Sequence, residues 1–494
     1  MKLMKKIFTT LLGLGFLCVN SQELRQEDGL RYAIQDLTGT ARYRAMSGAF
    51  GALGGDLSAL NVNPAGSIFF SNNYASVTGS SFNTKNNSNY FETKTRESNN
   101  NLDLNQIGAV FIFEDNSENS DWKKFSIGLN YENTRDFSNE VFIAGTNSNN
   151  SISGYFVDQA NFIANTDFND YQYDMGYETY IINEDTNNPG TFISNVPSGG
   201  NYYQENFIVT TGYNGKITGN FATSYKDKIF LGLNLNAHFT DYVRTTRLYE
   251  SNNNPENPSS QPTVREISFD NQVSTYGSGF SFNVGAIAKV TESFRIGIAY
   301  ESPTWYKLND ELVQDLYTFN NINVPSGSEN RYYEGPIFVF PTYKLQTPST
   351  LTGSAAYIFG NRGLISLDVS RKDFSQIQFK PKNEDVYYDL NTGIGNSLTD
   401  ALEIRLGGEY KYKQWSFRGG YRFEESPYNV DYAMGDLTGY SGGLGYNFGK
   451  NKLDLAYSYA HRNYNQYLIS SGMNDTARIR TIQNNVTLTY SVNF

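Results

Sequence analysis

The sequence contains very little cysteine and histidine for its length. Its 494 residues include one cysteine, Cys18, and two histidines, His238 and His461. A single cysteine excludes an internal disulfide, and two isolated imidazoles are a weak basis for a metal or haem site. We therefore expect no metal ion and no cofactor.

Long apolar runs are missing beyond the N-terminal segment, and the mean hydropathy is -0.51. Residues 1–21 combine the basic residues Lys2, Lys5 and Lys6 with an apolar run that is too short to span a bilayer as a helix. This pattern is typical of a signal peptide and predicts cleavage before Gln22. Cys18 lies inside this segment without a lipoprotein pattern, so we expect no lipid anchor.

Positive charge is also scarce. The chain has 39 Lys and Arg residues against 50 Asp and Glu residues, which gives a net charge of -11. This balance argues against binding to nucleic acid and against recruitment to an anionic leaflet.

Aromatic residues and alternating segments are abundant instead. Phe, Trp and Tyr make up 15% of the chain. In one clear segment Leu231, Leu233 and Leu235 alternate with Asn234 and Asn236, which indicates a strand with one apolar and one polar face. We find fourteen such segments, joined by connections that alternate between short and long, and the last one ends on Phe494. The pattern predicts an all-β fold, a 14-stranded antiparallel transmembrane outer-membrane β-barrel; the alternative class is a secreted β-sandwich or adhesin.

A glycine-rich segment, Gly39 to Phe70, precedes the predicted strands. The residues Arg44, Ser47, Gly48, Asp56, Asn63, Pro64 and Ala65 resemble, in order and spacing, the N-terminal hatch of the FadL/TodX outer-membrane transporters. The tracts TYKLQTPSTLTGSAAY, EIRLGGEYKYKQWSFRGGYRFEESPYN and LDLAYSYAHR resemble late strands of the same family. After the predicted signal peptide at 1–21, the resemblance implies a hatch that plugs the lumen at 22–71 and a barrel at 72–494.

The resemblance also implies a function and its partners. It predicts passive uptake of long-chain fatty acids or other hydrophobic small molecules, by capture at outer loops, hatch rearrangement and lateral exit through the barrel wall. In the family the lateral gap arises from a kink in the third strand, which corresponds here to Gly128–Thr134. We expect a monomer in the outer membrane of a Gram-negative bacterium, in contact with outer-membrane lipid and, during biogenesis, with the insertion machinery.

Two groups of residues are candidates for substrate binding. Arg405, Arg418 and Arg422 alternate onto the predicted lumen face. They can bind a carboxylate head group, or they can pair with neighbouring acidic residues and hold the hatch. Three long extracellular loops are predicted at 136–214, 249–274 and 309–342. The last contains an apolar set that suits either substrate capture or ordinary loop core: Leu316, Phe319, Phe338 and Phe340.

Other function classes have weaker support. The tyrosine-rich loop at 136–214 would suit a FadL-like barrel that serves as a protein-interaction subunit of a secretion system. A haem receptor is limited by the two histidines. Gly439–Gly443 matches the G-x-S-x-G pattern around Ser441, but a nucleophile elbow needs a strand-to-helix turn and this match begins a strand. We therefore predict no catalytic residues and no enzyme.

Overall fold

The computed structural model describes residues 24–115, 117, 120–163, 171–256, 261–430 and 432–494. The predicted signal segment, 1–21, lies outside the described residues. The chain forms a closed antiparallel barrel of 14 strands, as the alternating pattern predicts. Within the described ranges, no helix combines the length and the apolar character needed to cross a membrane.

The strands are β1 (Tyr74–Tyr90), β2 (Thr93–Glu114), β3 (Trp122–Asp136), β4 (Asn139–Asn147), β5 (Ile182–Glu184), β6 (Phe192–Ser194), β7 (Tyr202–Tyr225), β8 (Ile229–Asn252), β9 (Glu266–Lys289), β10 (Phe294–Glu301), β11 (Trp305–Phe319), β12 (Arg331–Glu334), β13 (Phe338–Val339), β14 (Tyr343–Gln346), β15 (Thr350–Ile358), β16 (Gly363–Asp373), β17 (Gln378–Lys380), β18 (Asp400–Tyr412), β19 (Trp415–Glu424), β20 (Leu437–Asn447), β21 (Asn451–Tyr467) and β22 (Thr476–Asn493).

The helices are α1 (Gln26–Ala33), α2 (Ala41–Ala45), α3 (Ser153–Ile163), α4 (Tyr171–Glu178) and α5 (Asp385–Ser397). Short 3-10 helices cover Ser58–Asn61, Pro64–Phe69 and Phe374–Gln376.

Several crossings of the barrel wall are made of more than one strand segment. β3 and β4 pair in succession with β7, and β10 and β11 pair in succession with β9. The short strands β12, β13 and β14 pair in succession with β11, and β15 pairs with β10. β17 follows β16 in the chain and pairs with β14. β1 pairs with β22, which closes the barrel.

The two faces of each strand follow the sequence alternation. On β8 the side chains of Leu231, Leu233 and Leu235 are exposed on the outside, while Asn234 and Asn236 are buried inside. The short turns, such as 226–228, 359–362 and 413–414, lie at one end, which we call the short-turn end; the opposite end is the long-loop end. The apolar outer face is the side that faces lipid in a transmembrane barrel.

Residues 24–70 lie inside the barrel. Helix α2 contacts β19, β20, β21 and β22, while the 3-10 helix Pro64–Phe69 contacts β3, β7, β8 and β9 across the lumen. Glycine prevents this segment from forming one continuous helix, since Gly48, Gly54 and Gly55 adopt positive φ angles that suit glycine. We call residues 24–70 the inner segment.

The predicted loop boundaries differ from the structure because the strands continue past them. β7 begins at Tyr202 inside the predicted loop 136–214, and β8 and β9 occupy half of the predicted loop 249–274. β11 runs to Phe319 inside the predicted loop 309–342. The alternation fades in these polar ends of the strands, because both faces meet water or polar loops beyond the bilayer.

A cap of packed loops covers the long-loop end. Helices α3 and α4 and the hairpin β5–β6 pack on the ends of β8, β9 and β22, with a core that includes Tyr155, Phe156, Ile182, Leu248, Phe269 and Ile479. Most of the predicted loop 136–214 therefore folds as strands and as this cap.

Candidate functional site

The turn Asn63–Pro64–Ala65 of the inner segment sits against glycines of the barrel wall. The Asn63 Nδ2 atom donates to the carbonyls of Gly51, at 2.8 Å, and Ala286, at 3.2 Å. A Cβ atom added to Gly232 would lie 2.2 Å from the Ala65 nitrogen, and one added to Gly285 would lie 2.2 Å from the Asn63 Oδ1. These strand glycines, on β8 and β9, leave the space that the turn occupies.

The other predicted hatch residues are bonded within the lumen. The buried Arg44 guanidinium donates to Ser80 Oγ and Ser458 Oγ, each at 3.1 Å. Burial lowers the pKa of Arg44 to about 10, so the side chain stays charged at neutral pH. Asp56 accepts from Thr40 Oγ1 at 2.7 Å and from the Ser58 nitrogen at 2.9 Å, and burial raises the pKa of its carboxyl.

Ser47 adopts a positive φ of 51° and bonds the serine that the G-x-S-x-G pattern singled out. The Ser47 nitrogen donates to Ser441 Oγ at 3.1 Å, and Ser441 Oγ donates to the Ala45 carbonyl at 3.0 Å. Ser441 is therefore a contact between β20 and the inner segment. Gly48 lies beside it with a φ of 79° and packs on Tyr43.

Acidic side chains of the wall join the inner segment to the barrel. Glu409 accepts from Arg42 Nε at 3.0 Å and from Arg418 Nε at 2.7 Å, and Arg418 also pairs with Asp454 at 2.6 Å. Asp368 accepts from the backbone nitrogens of Phe50 and Gly51. All these carboxylates are buried.

The arginines predicted to bind a carboxylate head group lie in this network. Arg405 pairs with Glu403 and donates to the Tyr43 hydroxyl at 3.2 Å. Arg422 pairs with Glu403 and Glu424 and donates to the Gln35 carbonyl at 3.2 Å. Like Arg418, each of these two arginines already faces a carboxylate. This is the arrangement expected if the arginines pair with neighbouring acidic residues and hold the inner segment.

A chamber lies between the inner segment and the cap. Its volume is about 350 Å³, which falls within the roughly 300–1,000 Å³ typical of small-molecule sites. Apolar side chains from α1 and several strands line much of it: Leu30, Ile34, Phe137, Val141, Ile208, Tyr242, Met434, Leu437 and Tyr464. Charged side chains also face it, namely Glu27, Arg31, Asp36, Arg135, Asp136, Arg244, Glu424 and Arg462.

The cations of the chamber differ in their partners. Arg31 pairs with Asp28 and stacks on the Tyr242 ring at 3.8 Å, and Arg462 pairs with Glu424 at 3.4 Å. Arg135 donates to the carbonyls of Arg31 and Ile34. Arg244 has no ion pair with any carboxylate among the described residues; Tyr242 and Asp28 partly offset the positive field that Arg25 and Arg31 add around it.

The wall beside the chamber has an interrupted backbone ladder. Within the described part of the chain, β2 and β3 exchange backbone pairs only from Glu114–Lys124 to Gln106–Glu132. The β3–β7 register then shifts between Asn133 and Arg135, and β3 and β4 are separated at Phe137 and Ser138. The register shift begins inside Gly128–Thr134, the region that the family resemblance assigns to the third-strand kink.

Side chains bridge the two edges of this interruption, which we call the wall gap. Asn133 donates to Asp103 at 2.8 Å, and Asn101 donates to Asp136 at 2.6 Å and to Ser138 at 3.3 Å. Asp136 and Ser138 also line the chamber. On the outer face of β2, the strand that contains Asn101 and Asp103, the side chains of Leu102 and Leu104 are 82% and 58% exposed.

The apolar residues predicted for substrate capture lie apart from the chamber. Leu316 is buried in the core of the cap. Phe338 packs on Tyr171 with ring centroids 4.9 Å apart, Phe319 stacks on Tyr317, and Phe340 is buried beside β11. The structure does not bring these residues together with Arg405, Arg418 and Arg422.

The two histidines lie in different places. His238 Nε2 bonds Ser281 Oγ at 2.8 Å, and the ring packs on Tyr306. His461, beside Tyr459 on β21, is among the residues that line the chamber. No group of three or more His, Cys, Asp or Glu side chains is arranged to hold a metal ion in the ranges that the structure covers.

Sequence reasoning missed Arg244 and Arg135 as site residues. Both lie in the polar upper parts of strands, and Arg135 falls at the edge of a segment predicted as a loop. The available signal was the alternation along β8, which places Arg244 on the same inward face as Asn234, Asn236 and His238. We did not follow this alternation past the apolar part of the strand.

Comparison with known proteins agrees with this architecture. The model of the family described as outer membrane protein transport protein (OMPP1/FadL/TodX) matches residues 212–493, more than half of the chain. No curated protein matches the chain.

Solved structures show the same fold at low identity. A Pseudomonas aeruginosa FadL homologue is 13% identical with a TM-score of 0.56, and the match covers 94% of this chain and 100% of that one. The Pseudomonas putida toluene transporter TodX is 16% identical with a TM-score of 0.50, over 93% of this chain and 99% of that one. The chain therefore belongs to the OMPP1/FadL/TodX family of outer-membrane proteins that transport hydrophobic compounds.

Proposed function

We propose that this protein takes up amphipathic acids with a long apolar chain, such as long-chain fatty acids, through the chamber. The observation that carries this proposal is Arg244, a cation that forms no ion pair among the described residues and faces a chamber with an apolar lining on one part and charged side chains on another. A guanidinium binds a carboxylate with two parallel hydrogen bonds, and the apolar lining suits the hydrocarbon chain.

The route of the substrate follows from the elements around the chamber. The cap at the long-loop end closes the outer mouth, so capture and entry require movement of loops of the cap. The inner segment acts as a hatch at residues 22–71 and blocks the direct path to the short-turn end. We infer that the ligand leaves laterally through the wall gap, because Asp136 and Ser138 border both the chamber and the gap.

An aromatic hydrocarbon would use the same apolar lining but would leave Arg244 without a partner. Desolvating an unpaired cation disfavours such a ligand relative to a carboxylate. The chamber therefore favours fatty acids over the hydrocarbon class. The secretion-subunit interpretation stays an alternative: Tyr155 and Tyr202 of the tyrosine-rich segment are buried in the cap, while Tyr177, Tyr203 and Tyr213 are exposed.

Ligand binding to matched variants tests this proposal. Purified full-length protein in detergent would be titrated with a long-chain fatty acid and with the primary alcohol of equal chain length. Arg244→Ala is expected to weaken binding of the acid about 10- to 100-fold, because a hydrogen bond to a charged group contributes about 1.5–3 kcal/mol. Binding of the alcohol should change little.

Arg247→Ala is the control, because Arg247 lies on the same strand but is exposed on the outer face and pairs with Asp270. It should leave the affinity for both ligands unchanged. If Arg244→Ala weakens the acid and the alcohol equally, the carboxylate assignment is wrong and the chamber is only an apolar site.

A further inference from the structure

A group of unpaired basic side chains lies on the outer face of the barrel where β22, β1 and β2 run side by side. Its members are Lys85, Lys94, Arg96, Arg478 and Arg480, and all are exposed. We call it the basic patch. It stands out against the chain's net charge of -11.

The strand register places these side chains in two rows. Arg480 faces Asn87, which faces Arg96 on the other side. Arg478 faces Asn89, which faces Lys94 in the same way. Adjacent strands lie about 4.8 Å apart, so the two cations of a row are roughly 10 Å apart with an asparagine between them.

A third position extends the patch toward the bilayer. Lys85 pairs with Ile482 and Ser98, one step below the Arg480 row. The Arg96 Nε donates to Asn87 Oδ1 at 2.8 Å, which fixes one arginine along its row. The basic patch therefore has a defined geometry.

Acidic side chains do not neutralise this surface. No salt bridge joins a member of the basic patch to a carboxylate in the described ranges. Glu92 lies in the hairpin turn beyond the patch, and Glu97 faces the other side of β2, in register with the inward-facing Asn86. Like charges at this spacing repel one another unless an anion lies between them.

One row of asparagines, Asn484, Asn83 and Asn100, separates the basic patch from the apolar outer face. Below Arg480 the outward positions of β22 are mainly apolar, from Ile482 through Val486 and Leu488 to Tyr490. With a rise of about 3.3 Å per residue and a strand tilt of about 40°, this stretch spans about 20 Å, most of the roughly 25 Å of an outer-membrane apolar band. The patch therefore lies at the level of lipid head groups at the long-loop end.

We infer that the basic patch binds the phosphate groups of a phosphorylated glycolipid of the outer leaflet. Arginine is suited to bidentate contacts with phosphate, and each row presents two cations across one asparagine that can donate a hydrogen bond. The apolar outward side chains that begin below a row of asparagines, at Val486 and Leu102, would hold the acyl chains of the same lipid. Net charge therefore misleads here, because the local surface has the opposite sign.

Binding of purified full-length protein to diphosphoryl lipid A, followed by native mass spectrometry, tests this inference. Arg478→Gln/Arg480→Gln should weaken binding about 10- to 30-fold, at roughly a factor of five for each cation near a lipid surface. Dephosphorylated lipid should bind poorly to both the parent protein and the variant. Because these residues are exposed, heat-dependent gel mobility should confirm that the variant is folded.

Lys307→Gln/Lys344→Gln is the matched control. These lysines face each other on β11 and β14, are also exposed on the outer face, and remove the same number of charges. The control should lose less than about twofold. Equal losses in the two double variants would show general electrostatic attraction and overturn the assigned site. Inorganic phosphate that binds as tightly as the lipid would overturn the lipid assignment.

Discussion

The lumen contains two regions that differ in whether their charged side chains form ion pairs. Around the inner segment, Glu409 and Asp454 face Arg42 and Arg418 at short distances, and Arg405 and Arg422 share Glu403. In the chamber above, Arg244 has no such ion pair among the described residues.

The difference separates holding a segment from binding a ligand. Buried charges that pair with one another are already satisfied, and removing one partner leaves an uncompensated charge. A cation that faces a cavity and has no ion-pair partner in the protein can have its charge compensated only by an anion that enters the cavity. A charged lumen residue is therefore a better candidate for substrate binding when its partner is missing than when it is present.

Closing the wall gap is expected to have the largest effect, because it would separate the chamber from the membrane. Asn101→Cys/Ser138→Cys, bridged by a short bifunctional maleimide, should abolish uptake of labelled fatty acid by cells that express the protein. The only natural cysteine, Cys18, lies in the predicted signal segment. Ligand binding to the chamber should persist in the bridged protein.

A bridge between strands that are already paired provides the control. Asn83 and Asn100 face each other in the β1–β2 ladder, and Asn83→Cys/Asn100→Cys can be bridged by the same reagent. That bridge should leave uptake unchanged. Normal uptake with the Asn101–Ser138 bridge in place would rule out exit through the wall gap.

Removing the charge of Glu409 is expected to have a large effect on stability. Glu409→Gln leaves the buried Arg418 side chain and the partly buried Arg42 side chain with less compensation, and the free energy of unfolding should fall by about 3–5 kcal/mol. Urea unfolding in detergent, followed by tryptophan fluorescence, measures this change. Affinity for the fatty acid should change far less than it does in Arg244→Ala.

Asp400→Asn is the comparison for Glu409→Gln. Asp400 pairs with Arg371 at 3.1 Å, but both side chains are about half exposed. The loss of this pair should change stability by about 0–1 kcal/mol. Similar losses in the two variants would show that burial does not distinguish the lumen network from surface pairs.

Filling the seat of the hatch turn is expected to have a smaller effect. Gly232→Ala would place a Cβ atom 2.2 Å from the Ala65 nitrogen, and overpacking of this kind costs about 1–3 kcal/mol. We expect faster proteolysis of the inner segment and higher ion conductance in planar bilayers. In Gly353→Ala the added Cβ would meet nothing within 4 Å, so that variant should behave like the parent protein. If Gly232→Ala and Gly353→Ala behave alike, the close packing of the hatch turn against Gly232 is contradicted.

Much of the fold follows from the alternating pattern. Leu231, Leu233 and Leu235 face outward and Asn234 and Asn236 inward, because side chains on a strand alternate between its faces. The strand ends were less predictable, since β7, β8 and β9 extend into polar segments where both faces tolerate the same residues.

The candidate site could be predicted only in part. The motif Asn63–Pro64–Ala65 marks a turn because proline fixes φ and the preceding residue is extended, but its seat on Gly232 and Gly285 brings together residues more than 160 positions apart in the sequence. The wall gap likewise depends on how the strands pair with one another, so it cannot be read from the sequence of any single strand.

By itself the sequence determined which faces of the strands are apolar, how many times the chain crosses the barrel wall, and which motif marks the inner segment. Tertiary structure decided which arginines are paired across strands. Arg418 and Arg244 both occupy inward positions of a strand, but Glu409 and Asp454 from neighbouring strands pair with the first, whereas the second faces the chamber with no ion pair among the described residues. The reason is physical: a charge is satisfied by its neighbours in space, and closure of the barrel selects those neighbours.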